Sequence, residues 1–315
     1  MKNEEFAAAL SSPDSPHEGE AGRNLYGLIG FPLGHSFSRG FFTEKFAREG
    51  INAEYLNFEI PDASMLLDVV RDNPNLKGLN VTLPHKQAVI PLLDELSDEA
   101  REIGAVNVIK IERPSKSPLK GDFKSSPFNG ELERVRLKGF NSDIIGFTES
   151  IKPLLRPWHK KALVLGTGGA SKAICVGLKR LGLEWTYVSR KSLTPGPSPV
   201  GEGRNQQPTP PSRGRGAGGE AGSGLRLSYS DLTADVMQEY TVIVNCTPVG
   251  MFPKVDAAPD IPYGFLTPQH LLFDCVYNPE DTLFLKKGRE QGAVGKNGLE
   301  MLHLQALASW HFWND

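Results

Sequence analysis

Only three cysteines, Cys175, Cys246 and Cys275, occur among the 315 residues. They form no CxxC pair. An odd number of thiols without a secretory context argues against a disulfide framework and for reduced cysteine. Long apolar runs are also missing, and none approaches the roughly 20 residues needed to cross a bilayer. The opening stretch, MKNEEFAAALSSPDSPHEGEAGRN, lacks the apolar centre and basic flank of a signal peptide. The expectation is a cytoplasmic protein without membrane contact. Excess charge of either sign is absent too, with 35 Lys and Arg against 37 Asp and Glu and a formal net charge of -2. Such a balance creates no global pull toward nucleic acid or anionic lipid. Hydrophobic residues make up 39% of the chain. That is enough for a core, and the slight shortfall is local.

Residues 1–23, 113–134 and 192–224 account for it. All three segments are polar and poor in core-forming side chains, and all are expected to be flexible. The last holds 6 of the 24 prolines and 9 of the 33 glycines. It cannot bury enough apolar surface to offset its ordering entropy. Its Arg204, Arg213 and Arg215 raise the alternative of an RNA-binding tail. No aromatic residue accompanies them to stack on bases, so a solvated insertion is the preferred reading and no nucleic-acid partner is expected. Loop-closure entropy grows slowly with length, so turns can carry such additions.

The rest of the chain alternates two kinds of pattern. Strand-like runs fall at 25–30, 55–60, 76–83 and 105–111, and again at 161–166, 185–190, 241–246 and 271–277. Helical spacing lies between them, for example Phe37, Phe41, Phe42 and Phe46, then Met65, Leu66, Val69 and Val70. Strands separated by helix-length segments indicate βαβ units and mainly parallel sheets, here in two α/β sets. The last stretch, 298–313, puts Leu299, Leu302, Ala306, Trp310 and Trp313 on one helical stripe. It is expected to be a closing helix.

LVLGTGGASKAICVGLKRLG (163–182) carries the clearest local signal. A buried-type strand ends at Gly166, a turn of Thr167, Gly168 and Gly169 follows, and a helix begins near Ala170. Gly166 permits a tight turn, and Gly168 and Gly169 let the backbone approach a pyrophosphate. The helix N-terminus there supplies unpaired N–H groups and a positive dipole end. The run is GxGGAS rather than GxGxxG, with Ser171 in place of the third glycine. The next strand lacks the terminal acid that would hold the ribose hydroxyls of NAD and ends instead in Ser189, Arg190 and Lys191. A hydroxyl and two cations suit the 2′-phosphate of NADP. The alternative is that the two cations only open a solvated loop.

Two ionisable residues sit in apolar surroundings in the first half. Lys86 ends GLNVTLPHK, where a strand stops at Pro84 and a helix is expected to start. Asp143 lies in KGFNSDIIGF. A partly desolvated lysine can exchange protons, and a nearby carboxylate would orient it. Taken singly, each residue also fits a surface ion pair. His85 competes for the acid–base role, but adjacency to Lys86 turns it elsewhere, so it is expected to be structural.

YGLIGFPLGHSFSRGFF, NVTLPHK, IGAVNVI, GFNSD, GTGGAS, VNCTPVGM, FDCVYNP and NGLEMLHLQA occur in one order. This series resembles the shikimate dehydrogenase family along nearly the whole chain outside the polar segments. The resemblance implies reversible reduction of 3-dehydroshikimate to shikimate with NADPH, on the route to chorismate and aromatic amino acids, without a metal. It implies Lys86 and Asp143 as the catalytic dyad. Ser36 and Ser38 would hold the substrate carboxylate, although Ser36 also suits a helix N-cap. Asn80, Thr82, Asn107, Tyr277 and Gln305 would read the ring hydroxyls. Thr247, Val249, Met251, Cys275 and Gly298 would line the nicotinamide, with Asp98 as a further cofactor contact. The implied architecture is an α/β substrate domain, 24–143 plus 298–315, and a Rossmann-like NADP domain, 144–297, with the last helix packed back on the substrate domain. A monomer or homodimer is expected. The chain departs from the family pattern at three places: Leu283 where Pro is frequent, Glu300 where a small residue is usual, and SRK in place of NRT. Two alternatives remain open, a quinate/shikimate dehydrogenase with relaxed cofactor use and a non-catalytic NADP-binding protein.

Overall fold

The computed structural model describes residues 22–33, 37–113, 135–190 and 226–315. Nearly all of the three polar segments, together with Ser36 and Lys191, lie outside the described residues.

Apolar runs with little alternation dictate the second half. KALVL and VIVN are buried on both faces, the pattern of a parallel sheet covered on both sides. The strands here are β7 (Lys161–Leu165), β8 (Glu184–Ser189), β9 (Arg226–Ser228), β10 (Val242–Asn245), β11 (Leu271–Asp274) and β12 (Val294–Lys296). They stand in the order β12-β11-β10-β7-β8-β9, every pairing parallel. Strand order reverses between β7 and β10, which opens a crevice beyond their carboxyl ends.

The first half builds a sheet of β1 (Asn24–Gly30), β2 (Ala53–Glu59), β3 (Leu76–Val81), β4 (Glu95–Leu96), β5 (Val108–Glu112) and β6 (Arg136–Phe140). Their order is β2-β1-β3-β5-β6-β4. β1 pairs in parallel with β2 and β3, and β4 with β6, but β5 runs antiparallel to both neighbours. The expectation of mainly parallel sheets therefore holds fully only for the second half.

Helices α1 (Phe37–Glu49), α2 (Leu66–Asp72), α3 (Asp98–Ile103) and α4 (Asp143–Ile151) belong to the first part. They are followed by α5 (Gly169–Arg180), α6 (Ala234–Glu239), α7 (Leu283–Glu290) and α8 (Leu299–Asn314). One face of the first sheet buries Ile29, Leu66, Val70, Leu79 and Ile109. The other buries Tyr26, Phe42, Phe46, Tyr55, Trp310 and Trp313. α8 thus covers the first sheet, and Trp313 Nε1 donates to Ile109 O at 3.1 Å. Its buried surface is broader than the expected stripe, because Met301, Leu304 and Ala308 are buried while Leu299 and Leu302 are only half-buried.

α4 links the two halves. Its Phe147 packs edge-on to Phe273 of β11 at 5.2 Å. A Cβ on its Gly146 would lie 2.4 Å from Met301 O, so only glycine allows α8 this close.

Candidate active site

Lys86 sits where strand geometry gives out. The helix expected at Pro84 does not form; residues 83–89 make successive turns leading into a short 3-10 segment, Ile90–Leu92. The backbone is pinned by Val106 N donating to Lys86 O at 2.7 Å and His85 N donating to Thr82 O at 3.0 Å. His85 is buried with Nε2 at 2.7 Å from Ile60 O, which gives it the structural place expected of it.

Lys86 Nζ meets Asp143 Oδ2 at 2.6 Å, with the side chains 14% and 5% exposed. Water is therefore largely excluded from this pair, and its electrostatics act at close range. Asp143 stands at the first residue of α4, where a carboxylate meets the positive helix end. Its backbone N–H donates to Asn141 Oδ1 at 3.0 Å. Asn107 Nδ2 lies 2.8 Å from Asp143 Oδ1, 3.1 Å from Gln305 Oε1 and 3.0 Å from Ser142 Oγ. Ser142 N closes the loop by donating to Asn107 Oδ1 at 2.7 Å.

The polar chain continues across the sheet. Asn80 Nδ2 donates to Ser309 Oγ at 2.9 Å, and Ser309 Oγ is 3.2 Å from Ser142 Oγ. Tyr55 OH donates to Asn80 Oδ1 at 2.8 Å, and Ser38 lies within hydrogen-bonding reach of Tyr55. Burial pushes the Tyr55 hydroxyl pKa up, so it remains a donor. Ser38, Asn80, Asn107, Gln305, Lys86 and Asp143 thus share one connected network. Thr82 follows β3 with its methyl against Gly30, where a Cβ would come within 2.4 Å.

Sequence reasoning missed Tyr55, Asn141, Ser142 and Ser309. Tyr55 looks like an ordinary core position in an alternating strand. Ser309 could have been found from Gln305, because it lies one helical turn beyond it on α8 and donates to Gln305 O at 2.8 Å.

Tyr277 reaches the first half from the loop after β11, meeting Phe37 edge-on with ring centroids 6.0 Å apart. Phe37 in turn stacks on His303 at 5.0 Å. Burial raises the Tyr277 hydroxyl pKa and keeps it protonated.

The Gly-rich turn has the shape a dinucleotide needs. Gly166 has φ +98°, and a Cβ there would lie 2.9 Å from Thr247 Cγ2. Gly168 caps α5 with no side-chain hydrogen bond and has open space around it. The first-turn N–H groups therefore face a cradle that a pyrophosphate fits. Thr167 is exposed and Ala170 is half-buried in the first turn. Ser171 Oγ donates to Gly168 O at 2.6 Å, holding the turn where a third glycine was looked for. A Cβ on Gly169 would touch Lys86 Cβ at 3.3 Å, so the turn rests directly on the catalytic candidate.

Ser189 ends β8 in register with Ser228 of β9. Arg190 is exposed, next to Tyr229. Thr247 donates from N and Oγ1 to Asn245 Oδ1 at 3.0 and 2.6 Å, and Val249 N donates to Thr247 Oγ1 at 3.3 Å. Met251 is exposed beyond them. A Cβ on Gly298 would lie 2.4 Å from Cys275 O, which brings the start of α8 onto the end of β11. Asp98 is not gathered with these residues: its side chain is 98% exposed and paired with Arg101 at 3.0 Å.

Asp274 was not singled out from sequence. It is fully buried and accepts from Asn245 Nδ2 at 2.9 Å, Val276 N at 3.0 Å and Thr282 Oγ1 at 2.6 Å. Burial raises its pKa to about 6 despite these donors. Among the described residues no group of His, Cys, Asp and Glu could hold a metal ion. Nor is any helix there long and apolar enough to cross a membrane.

A family model for the shikimate dehydrogenase substrate binding domain matches residues 28–109. The shikimate dehydrogenase (NADP(+)) of Desulforamulus reducens is 34% identical over 291 residues, covering 91% of this chain and 88% of that protein. The chain belongs to the shikimate dehydrogenase family. Among solved structures of that family, the chorismate mutase/shikimate 5-dehydrogenase fusion protein from Clostridium acetobutylicum is similar, with TM-score 0.70 and 32% identity over 94% of this chain and 92% of that one. Shikimate 5-dehydrogenase from Thermus thermophilus, solved with NADP(H) and shikimate, gives TM-score 0.66 and 26% identity over 92% of this chain and 93% of that one. The two α/β sheets are those of shikimate dehydrogenases, a substrate-binding part followed by a Rossmann-like part.

Proposed function

We propose that this chain catalyses the reversible NADPH-dependent reduction of 3-dehydroshikimate to shikimate, in the cytoplasm, as a monomer or homodimer. The observation that carries the reading is the Lys86–Asp143 pair at 2.6 Å, braced by Asn107 and set against the Gly169 turn. Residues 24–143 with 298–315 form the substrate domain and 144–297 the NADP domain.

When bound, NADPH supplies the hydride. Lys86 Nζ donates the proton to the carbonyl oxygen and stabilises negative charge developing there, in a site that excludes most water. Asp143 holds Lys86 aimed through their 2.6 Å contact, and its second oxygen is steadied by Asn107. Ser38, with Ser36 beside it in sequence, donates to the carboxylate without burying a counter-charge. Asn80, Thr82, Asn107, Tyr277 and Gln305 offer mixed donors and acceptors to the ring hydroxyls. The turn 166–170 holds the pyrophosphate, and Ser189, Arg190 and Lys191 hold the 2′-phosphate. Thr247, Val249, Met251, Cys275 and Gly298 flank the nicotinamide, and Asp98 lies outside this group.

The purified chain should oxidise NADPH in the presence of dehydroshikimate, in preference to NADH and to the quinate couple. Lys86→Ala should lower kcat by roughly 100-fold or more, the scale of general acid catalysis, with NADPH affinity kept. No turnover by the wild type, or a wild-type rate from the variant, would sink the reading.

A further inference from the structure

The second sheet brings two of the three thiols together. Asn245 and Asp274 are partners in the parallel register of β10 and β11. Cys275 N then donates to Asn245 O at 2.9 Å, which extends the ladder by one residue and sets Cys246 beside Cys275. Both side chains pack on the same apolar cluster, which includes Val244, Phe273 and Cys175, so both point to one face. Their thiols lie within hydrogen-bonding reach of each other. Neighbouring strands are spaced about 4.8 Å apart, inside the Cα window of roughly 4.4–6.8 Å that a disulfide spans. Both residues are half-buried rather than sealed, which leaves a small oxidant a way in.

We propose that Cys246 and Cys275 form a dithiol that peroxide converts to a disulfide, and that this crosslink weakens NADP(H) binding. Burial keeps Cys246 in the thiol form, so Cys275 reacts first. Its sulfur gives up its proton and attacks one oxygen of hydrogen peroxide; the S–O bond forms, the O–O bond breaks, and the departing hydroxide takes that proton to leave as water. Cys246 Sγ then attacks the sulfenic sulfur; the S–S bond forms, the S–O bond breaks, and the second hydroxide leaves with the Cys246 proton as water. Two thiols have lost two electrons and two protons, and one peroxide has become two waters.

The crosslink acts on backbone that has no slack. Cys275 O sits where a Cβ on Gly298 would be 2.4 Å away, and Cys246 O lies 3.5 Å from the corresponding point at Gly166. The S–S bond also fixes the Cys275 side chain, which flanks the nicotinamide in the function proposed above, and any adjustment of these carbonyls is passed to the Gly-rich turn and the start of α8. The effect on NADP(H) rests on the function proposed above; formation of the disulfide does not.

Trypsin places the three cysteines on separate peptides, 173–179, 227–254 and 255–286. The whole chain is treated with hydrogen peroxide, alkylated under denaturing conditions and mapped by mass spectrometry, with NADPH kinetics measured in parallel. The expected result is a crosslink joining 227–254 to 255–286, with Cys175 alkylated. The KM for NADPH should rise on the order of tenfold, and dithiothreitol should reverse both changes. Cys246→Ser should keep the basal rate but lose the dithiothreitol-reversible response. Over-oxidation of Cys275 with Cys246 still alkylated overturns the dithiol, as does oxidation confined to Cys175. A crosslinked enzyme with unchanged KM overturns its effect on the cofactor. If the chain turns over no dehydroshikimate, the peptide map still decides the thiol pair.

Discussion

Asp274 is a carboxylate with three donors and no cation among its hydrogen-bond partners. Its folded pKa of about 6 stands above the ordinary value of 3.8 because burial penalises the charge. A raised carboxylate binds its proton more tightly in the fold than in the unfolded chain. Its stabilising contribution is therefore complete below the unfolded pKa and is lost as pH rises through about 6. Above that pH the buried charge costs about 3 kcal/mol, at 1.36 kcal/mol per pKa unit. Asp274→Asn removes that cost and keeps the shape. Chemical denaturation should show the variant more stable by up to about 3 kcal/mol at pH 8 and no different below about pH 4. A less stable variant at pH 8 would mean that the three hydrogen bonds outweigh the desolvation. Residues of this kind are hard to read from sequence. Lys86 and Asp143 were legible because several motifs occur in order, whereas Tyr55 and Ser309 meet Asn80 from 25 and 229 positions away and Asp274 meets Asn245 from 29.

At the scale of elements, α8 depends on one missing side chain. Trp313 lies over β3 at Gly78, where a Cβ would come within 2.3 Å of the indole. Gly78→Ala must push α8 or its tryptophan outward, and overpacking of this kind costs about 1–3 kcal/mol. Thermal unfolding should show the loss, and an unchanged midpoint would mean that the helix shifts freely. The strands the sequence revealed are those with dense apolar runs, such as KALVL and LLFD. β4 has two residues, and β9 and β12 have three each; pieces so short carry no period. The reversal of β5 was equally hidden, because strand direction follows from long-range pairing rather than local pattern.

Across the molecule, the described residues of the two halves touch through α4, through Gly169 on Lys86 and Tyr277 on Phe37, and through exposed polar contacts. α4 packs tightly into both, with glycines at its crossings with α8 and α5. By contrast, Arg180 to Glu102 at 2.9 Å and Lys172 to Gln87 at 3.2 Å are exposed contacts between the halves. Exposed pairs are worth less than about 1 kcal/mol each and weaken in salt. Closure of the halves about α4 on binding NADP is the expectation that this contrast supports. Adding NADP should slow amide exchange in the connections at 152–160 and 296–298 and in the turn at 166–169. Matching exchange with and without NADP would leave closure unsupported.

The reversal of β5 has a further consequence. β3 delivers Asn80 toward Lys86, so antiparallel β5 starts beside Asn107 at the chemistry and carries the chain away from it. Glu112 and Arg136 pair at the end of this ladder farthest from Asn107. A fluorophore attached at exposed Arg136 would sit at that end, away from Asn107 and Lys86. Ser189, by contrast, ends β8 one residue beyond Val188, whose carbonyl accepts from Gly166 N at 3.0 Å, beside the turn where the nucleotide is proposed to lie.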